Sequence, residues 1–355
     1  MRVLTVIGNR PQFVKAAAVS RRLRRVATEV LVHTGQHHDD QLSRVFFEEL
    51  ELPRPDHHLT LGGGTNPEQT ARMLGALGPL IAAEAPDAVL VYGDTNTTLA
   101  GGLAAALIGV PVAHVEAGMR SFDRTMPEEL NRVLTDHLSA LLLCTGAGPA
   151  RRLREEEDVH GEVVVVGDVM VDVFALIAPR ARGRTVVEDL DPGEYVLATA
   201  HRAGTVDDPA RLAALVELLR AVPGTVVLPL HPRTRARLED GGLLDTLAER
   251  VILTPPLGAL DFTALLLDAR AVLTDSGGVQ KEAYLASVPC VTLRSTTEWT
   301  ETVATGWNVL VDLDTTAVLA ALEREPPHEH PALYGDGHAG ERVVRALTEH
   351  LGSAR

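Results

Sequence analysis

The chain has 355 residues, of which 45% are hydrophobic and 23% charged, enough for two cores of the usual size of roughly 100 to 200 residues each. A net charge of -15, from 48 acids against 33 bases, excludes the broad basic surface that a nucleic-acid partner needs, and no apolar run reaches the roughly 18 residues of a membrane helix. Two cysteines, Cys144 and Cys290, without CxxC spacing, imply neither a disulfide framework nor a zinc site and suit a reducing cytoplasm.

The opening run, MRVLTVIG, lacks the basic leader and small-residue cleavage site of a secretory signal, so a cytoplasmic protein is expected. It reads as a strand buried on both faces, followed by the helical stretch PQFVKAAAVSRRLRR. Between them lies GNRPQFVK, residues 8–15. Gly8 suits a tight turn, Pro11 suits a first helical turn, and Arg10 and Lys15 flank the helix start. Free amides and two cations there fit a diphosphate; a solvated basic helix start is the alternative.

The strand VLVHTG, the helices QLSRVFFEELEL and PEQTARMLGALGPLIAAEA, and the strand DAVLVYGD come next. GDTNTT, residues 93–98, ends that strand and opens the helix TNTTLAGGLAAALIGV, with Asp94 either a cap or an acid at the strand end. PVAHV then runs into EAGMRSFDRTMPEELNR, bringing Glu116 at a strand end and Glu128 at the start of PEELNRVLTDHL. Carboxylates from neighbouring strand ends can converge on one ligand and push at least one pKa toward neutrality, as proton abstraction requires. The segment is then an active site whose arginines, among them Arg120, neutralise acids and contact substrate; a charged loop with a helix cap is the alternative. LLLCTG and EVVVVGD complete the strands of the first half.

The stretch RARGRTVVEDLDPGE, rich in charge, glycine and proline, marks the linker region. Beyond it the alternation restarts with YVLATAHR, PARLAALVELLRAV, TVVLPLH, VILTPPL, ALLLDARAVLTDSG, VQKEAYLAS and PCVTL. His201 and Arg202 follow the first of these strands and could meet phosphate or a developing anion, or simply pack. In DSGGVQKEA, residues 275–283, Ser276, Gly277 and Gly278 open a helix whose free amides would bind phosphate oxygens, and Glu282 could accept from a ribose; a structural glycine turn competes. The terminal helix ERVVRALTEHL follows an irregular stretch long enough to cross back to the first domain.

Strand followed by helix, twice over, means an α/β protein of two Rossmann-like parallel-sheet domains, residues 1–169 and 170–339, with the helix over 340–355 packing back on the first. Two such sheets are expected to face a central cleft at their carboxyl ends.

With these motifs assembled, the chain resembles the non-hydrolysing UDP-N-acetylglucosamine 2-epimerases, whose fold is similar to that of B-type glycosyltransferases. GNRPQFVK, TGQHHDD, GDTNTT, HVEAGMRSFDRTMPEELNR, AHRA, HPRT, DSGGVQKEA and TTEWTET carry the resemblance from end to end. It implies reversible epimerisation of UDP-N-acetylglucosamine to UDP-N-acetylmannosamine, by loss and re-addition of UDP through a 2-acetamidoglucal. By position, Asp94, Glu116 and Glu128 correspond to the acid/base set, and Arg10, Lys15 and His201 to diphosphate partners, with His201 assisting UDP departure. Phe262 matches the uracil-stacking position, Ser276, Gly277, Gly278 and Glu282 the phosphate and ribose contacts, and Gln36, Arg72 and Arg202 residues associated with a second, activating UDP-N-acetylglucosamine. The resemblance implies no metal or redox cofactor and a homodimer formed through the first domain.

The sequence departs from the usual pattern at Asp39, where a second Gln is common, at Ala203–Thr205 after the His-Arg pair, and at Trp299, where many bacterial members have Arg. SFDRTMPEELNR and TEWTET look more like a branch that includes archaeal enzymes and epimerases of UDP-2,3-diacetamido-glucuronic acid. That substrate would call for a cation at the sugar C6 carboxylate, with Arg120, Arg124 and Arg294 as candidates. A hydrolysing epimerase, a B-type glycosyltransferase and a nucleotide-sugar sensor are the other readings.

Overall fold

The structure, a computed structural model, describes residues 1–36 and 49–352. Most of the expected helix QLSRVFFEELEL, residue Asp39 and the side chain of Arg10 lie outside the described residues.

Contacts divide the chain into two units, Met1–Ala175 with Tyr334–Arg355, and Leu176–Leu333. The division falls inside one helix, Val169–Ala181, and the charged stretch 180–194 belongs wholly to the second unit. Among the described residues no helix is long and apolar enough to cross a membrane.

The first unit is a seven-stranded parallel sheet. Its strands are β1 (Arg2–Ile7), β2 (Thr28–His33), β3 (His57–His58), β4 (Ala88–Tyr92), β5 (Val112–Ala117), β6 (Leu141–Cys144) and β7 (Glu162–Val165), in the order β3-β2-β1-β4-β5-β6-β7. Side chains of β1 on both faces, Leu4 and Val6 as well as Val3 and Ile7, are fully buried because helices cover both sides. Leu4, Val6, Val30, Val32, Val89 and Val91 share one core with Met73, Leu77 and Ile81, the inward stripe of the helix Asn66–Glu84. The terminal helix Ala339–Leu351 buries Val343, Leu347 and Leu351 at a spacing of four. It approaches the helix Arg10–Leu23 so closely that a Cβ on Gly340 would sit 2.4 Å from the carbonyl oxygen of Ala18. Asp172 accepts the N–H groups of Ala339 (2.9 Å) and Gly340 (3.1 Å) at its start.

The second unit is a six-stranded parallel sheet with strands β8 (Tyr195–Thr199), β9 (Thr225–Pro229), β10 (Val251–Thr254), β11 (Ala271–Thr274), β12 (Cys290–Thr292) and β13 (Asn308–Leu310), in the order β10-β9-β8-β11-β12-β13. Each unit is thus the parallel α/β layer that the alternation predicts. In each, chain order reverses between two central strands, β1 and β4 in the first and β8 and β11 in the second. Ligands of such sheets bind beyond the carboxyl ends at this reversal. GNRPQFVK and GDTNTT follow β1 and β4; AHRAG and DSGGVQ follow β8 and β11. All four loop motifs therefore sit at reversal points.

Candidate active site

At the end of β1, a Cβ on Gly8 would lie 2.1 Å from Thr97 Oγ1 and 2.3 Å from Thr34 Oγ1, so glycine lets the turn pack against the next helix start. Asn9 caps the helix Arg10–Leu23, Pro11 lies in its first turn, and Lys15 emerges just beyond. The ammonium of Lys15 pairs with the carboxylate of Glu116. Burial alone would lower the Lys15 pKa, but Glu116, Asp94 and Asp168 outweigh it and hold the group above its ordinary value.

Glu116 reaches Lys15 through an irregularity of the sheet. In β5, Val115 pairs with Leu143 and Ala117 with Cys144, so Glu116 is an extra residue on its strand. Its φ is +72°, a left-handed conformation uncommon for a side-chain-bearing residue and of a kind that clusters at functional sites. The bulge places a charged side chain at the end of a strand whose other residues are fully or nearly buried.

Asp94 is not the cap of the following helix. Thr95 caps Asn96–Leu107, accepting from Thr98 N at 3.4 Å, which leaves the Asp94 carboxylate to pair with Arg132. Asn131 Nδ2 donates to the Asp94 carbonyl at 3.0 Å. Gly93, at φ +64°, is in contact with the ion pair: a Cβ there would lie 3.1 Å from Lys15 Nζ and 3.7 Å from Glu116 Oε2. Asp94, Glu116 and Lys15 are thus brought together beyond β1, β4 and β5.

The helix Pro127–Leu138 supplies two adjacent carboxylates with different surroundings. Glu128 is exposed in its first turn. Glu129 is buried and accepts from Ser121 N (2.8 Å), Ser121 Oγ (2.9 Å), Phe122 N (3.0 Å) and Arg132 Nη1 (2.7 Å). Burial alone would raise its pKa, but these donors hold it below the usual carboxylate range. Glu129 fixes the loop before the helix and steers Arg132 toward Asp94.

Arg120 is buried among protein partners. Its guanidinium donates to both carboxylate oxygens of Glu156 (3.0 and 2.7 Å), to Asp136 Oδ2 (2.6 Å) and to the Met119 carbonyl (2.7 Å), so it belongs to the scaffold. Gln36 Oε1 accepts from Thr97 Oγ1 (2.7 Å) and Thr97 N (3.2 Å), and Arg72 donates to the carbonyls of Gly62 (3.2 Å) and Gly63, tying down a glycine-rich turn.

In the second unit, buried Asp275 accepts the backbone N–H groups of His201 (3.0 Å) and Arg202 (2.9 Å), fixing the turn after β8. The His201 ring lies 5.3 Å from that of His231, and the Arg202 guanidinium is 3.6 Å from Glu298. Ser276 caps the helix Gly277–Leu285 by position, with no side-chain bond to it. A Cβ on Gly277 would meet Glu298 Oε1 at 2.7 Å, whereas one on Gly278 would meet only Ser276 Oγ at 3.9 Å. A side chain at the first position would have to displace the Glu298 carboxylate, and the second leaves the helix start open. Glu282 is half-buried on that helix, and Phe262 is half-buried in the first turn of Ala259–Asp268. Trp299 receives Lys281 over its ring at 4.1 Å, so a cation remains beside the position that departs from the family pattern.

Sequence reading gave no role to Glu129, Asn131, His114 and Asp136, and included Arg132 only among the arginines of its segment. The polar His114 inside the apolar run PVAHV was one available signal, and the three-residue spacing of Glu129 and Arg132 another. Among the described residues no group of three or more His, Cys, Asp or Glu side chains is arranged to hold a metal ion.

Residues 21–348 match the family described as UDP-N-acetylglucosamine 2-epimerase. A Methanococcus maripaludis protein named as a homolog of UDP-N-acetylglucosamine 2-epimerase is 41% identical over 355 residues, covering 98% of this chain and 99% of its own. The UDP-2,3-diacetamido-2,3-dideoxy-D-glucuronate 2-epimerase of Pseudomonas aeruginosa is 45% identical over 359 residues, covering 98% and 100%. Among solved structures, that of Methanocaldococcus jannaschii UDP-GlcNAc 2-epimerase in complex with UDP-GlcNAc and UDP aligns at a TM-score of 0.88 with 39% identity, covering 98% of this chain and 100% of that one.

Proposed function

Because the chain belongs to the UDP-N-acetylglucosamine 2-epimerase family, we propose that it interconverts UDP-N-acetylglucosamine and UDP-N-acetylmannosamine by elimination and re-addition of UDP. The C2 hydrogen of this sugar has no adjacent carbonyl and is weakly acidic. It leaves as the C1–O bond breaks: a carboxylate takes the proton, UDP departs with the bonding electron pair, and the sugar becomes 2-acetamidoglucal. Return of a UDP oxygen to C1, with a proton delivered to the opposite face of C2, gives the manno isomer. The reaction needs acids and bases on both faces of C2 and cations at the departing diphosphate.

One observation carries the reading: Glu116 leaves its strand through a left-handed bulge and turns its carboxylate to Lys15, whose ammonium is also held charged by Asp94. In this reading Asp94, Glu116 and exposed Glu128 handle the C2 protons. In the first unit Lys15 and Arg10 are the cations for phosphate; in the second unit His201 and the open helix start at Ser276–Gly278 take phosphate oxygens, and Phe262 and Glu282 take the uridine. No metal or redox cofactor enters the reaction as written, and a cytoplasmic location suits free, buried Cys144 and Cys290.

The Pseudomonas aeruginosa relative favours a second reading, in which the substrate is UDP-2,3-diacetamido-2,3-dideoxy-D-glucuronate. Of the three cations considered for its C6 carboxylate, Arg120 is committed to Asp136 and Glu156 and Arg294 lies 3.1 Å from Glu298, whereas Arg124 is exposed.

The test is incubation of purified protein with each sugar nucleotide in deuterated water, followed by proton NMR. The first reading expects deuterium at C2 and the manno isomer from UDP-N-acetylglucosamine. Turnover of the uronate alone selects the second, stoichiometric free UDP indicates hydrolysis, and no deuterium from either sugar overturns both.

A homodimer is part of the same reading. Leu130 and Leu134 on Pro127–Leu138 and Leu107 on the adjoining Asn96–Leu107 are exposed, an apolar face suited to a second copy. A dimer mass by light scattering that falls to a monomer in L130E/L134E is the expected result; a monomeric native chain overturns it.

A further inference from the structure

His114 is a polar side chain on β5, an interior strand of a seven-stranded sheet, with no exposure to solvent. Its Nε2 lies 2.7 Å from the carbonyl oxygen of Gly93, and its Nδ1 lies 2.7 Å from Asp136 Oδ1. A carbonyl oxygen only accepts, so Nε2 carries a proton. Asp136 also accepts, taking Gly118 N at 3.1 Å and Arg120 Nη1 at 2.6 Å on its other oxygen. Burial would raise the Asp136 pKa, but His114 and Arg120 hold it below the ordinary range. The ring spans a buried acid at one end and one peptide group at the other.

That peptide joins Gly93 to Asp94. The next one, carrying the Asp94 carbonyl, is held by Asn131 Nδ2 at 3.0 Å, and Gly93 N donates to Val115 O at 3.0 Å. Both peptides flanking Asp94 are therefore fixed by buried side chains. We propose that His114, backed by Asp136, is a positioning residue for the epimerisation, setting the Gly93–Asp94 peptide and with it the place of Asp94 beside Glu116 and Lys15. The proposal rests on the epimerase reading above. His114 touches neither substrate nor reacting atoms, and its effect runs through geometry, where a displacement of about 1 Å can cost roughly 100-fold in rate.

Two substitutions separate this role from simple support of the fold. In H114Q the side-chain amide can still donate to the Gly93 carbonyl but leaves Asp136 without its ring partner. H114N does the reverse. Both remove one hydrogen bond from the same buried pair, so a purely structural role lowers activity in step with melting temperature in both. The positioning role expects kcat to fall about 100-fold in H114N and only about 10-fold in H114Q, with KM and the Kd for UDP within about threefold of the native chain in each. Equal loss in the two variants, a native kcat in H114N, or a loss confined to UDP affinity overturns the proposal.

Should the variants fail to fold, ¹⁵N NMR of the native chain labelled at histidine decides. A proton held on His114 Nε2, the nitrogen facing the Gly93 carbonyl, is expected, and a bare Nε2 overturns the proposal. A native chain that folds, shows that proton and gives no C2 exchange overturns the epimerase reading instead.

Discussion

Glu128 and Glu129 are adjacent, chemically identical and assigned opposite duties, so E128Q and E129Q make the sharpest pair of variants. Glu129 accepts four bonds between 2.7 and 3.0 Å from Ser121, Phe122 and Arg132, and its side chain is buried. Glutamine retains one acceptor oxygen, loses the charge, and turns an NH₂ group toward N–H donors. Breaking a charge-assisted bond costs about 1.5 to 3 kcal/mol and disrupting a buried ion pair somewhat more, so about 3 kcal/mol is expected. In a unit of this size that corresponds to a fall of roughly 6 to 12 °C in Tm. Glu128 is exposed, and E128Q loses only its favourable place in the first helical turn, about 0.5 kcal/mol. Its kcat, by contrast, should fall on the order of 100-fold or more, as for removal of a general acid or base. Scanning calorimetry alongside an NMR epimerisation assay reads both. If E128Q melts like E129Q, or E129Q melts like the native chain, the division of labour argued from burial is wrong.

Three further outcomes follow from the same geometry. Because Glu116 has φ +72°, E116G should be more stable than E116A by about 1 kcal/mol, reversing the usual order in a strand, while both lack turnover; E116A melting at or above E116G refutes the strain argument. Asp136 and Glu129 both have folded pKa values below their ordinary ones, so the stability they contribute is complete above about pH 4, the unfolded value, and is lost as pH falls through the folded values. Acid melts should show a shallower decline in D136N than in the native chain, and parallel curves count against the ion pair. Burial pushes the thiols of Cys144 and Cys290 up to about 12, so Ellman's reagent should label neither at neutral pH until denaturant unfolds the chain; fast labelling of the native protein contradicts their placement.

What the sequence discloses of this protein is what depends on local pattern. Apolar runs separated by amphipathic stretches announce two parallel sheets because both signals are confined to a dozen residues. The loop motifs are legible for the same reason: Pro11 after Gly8, Asp94 after β4 and the paired glycines at 277 and 278 punctuate strand-to-helix turns. Less legible is anything set by register between distant strands. That His114 meets the carbonyl of Gly93 and the carboxylate of Asp136 follows from pairing β5 beside β4 and laying the helix Pro127–Leu138 over both, which no single stretch encodes. The partners of Arg120 are hidden from sequence on the same account, because Asp136 and Glu156 are 16 and 36 residues away.

Glu128 and Glu129 mark the boundary between the two kinds of information. A helix turns about 100° per residue, so the two glutamates of PEEL point in different directions and one can be buried while the other is exposed. The pattern EELNRVLTD does not settle which, since Leu130 and Leu134, the residues a hydrophobicity argument would bury, are the ones exposed. Asn131, Arg132, Thr135 and Asp136 are buried instead. The helix presents its polar face inward because that face carries the groups that hold Asp94, Glu129 and His114, and its apolar face outward. The inverted amphipathicity ties the buried ionic scaffold to the outward leucines: a second copy covering Leu130 and Leu134 would brace the helix that carries Arg132 and Asp136. On that reasoning a monomeric L130E/L134E variant should lose turnover as well as its partner.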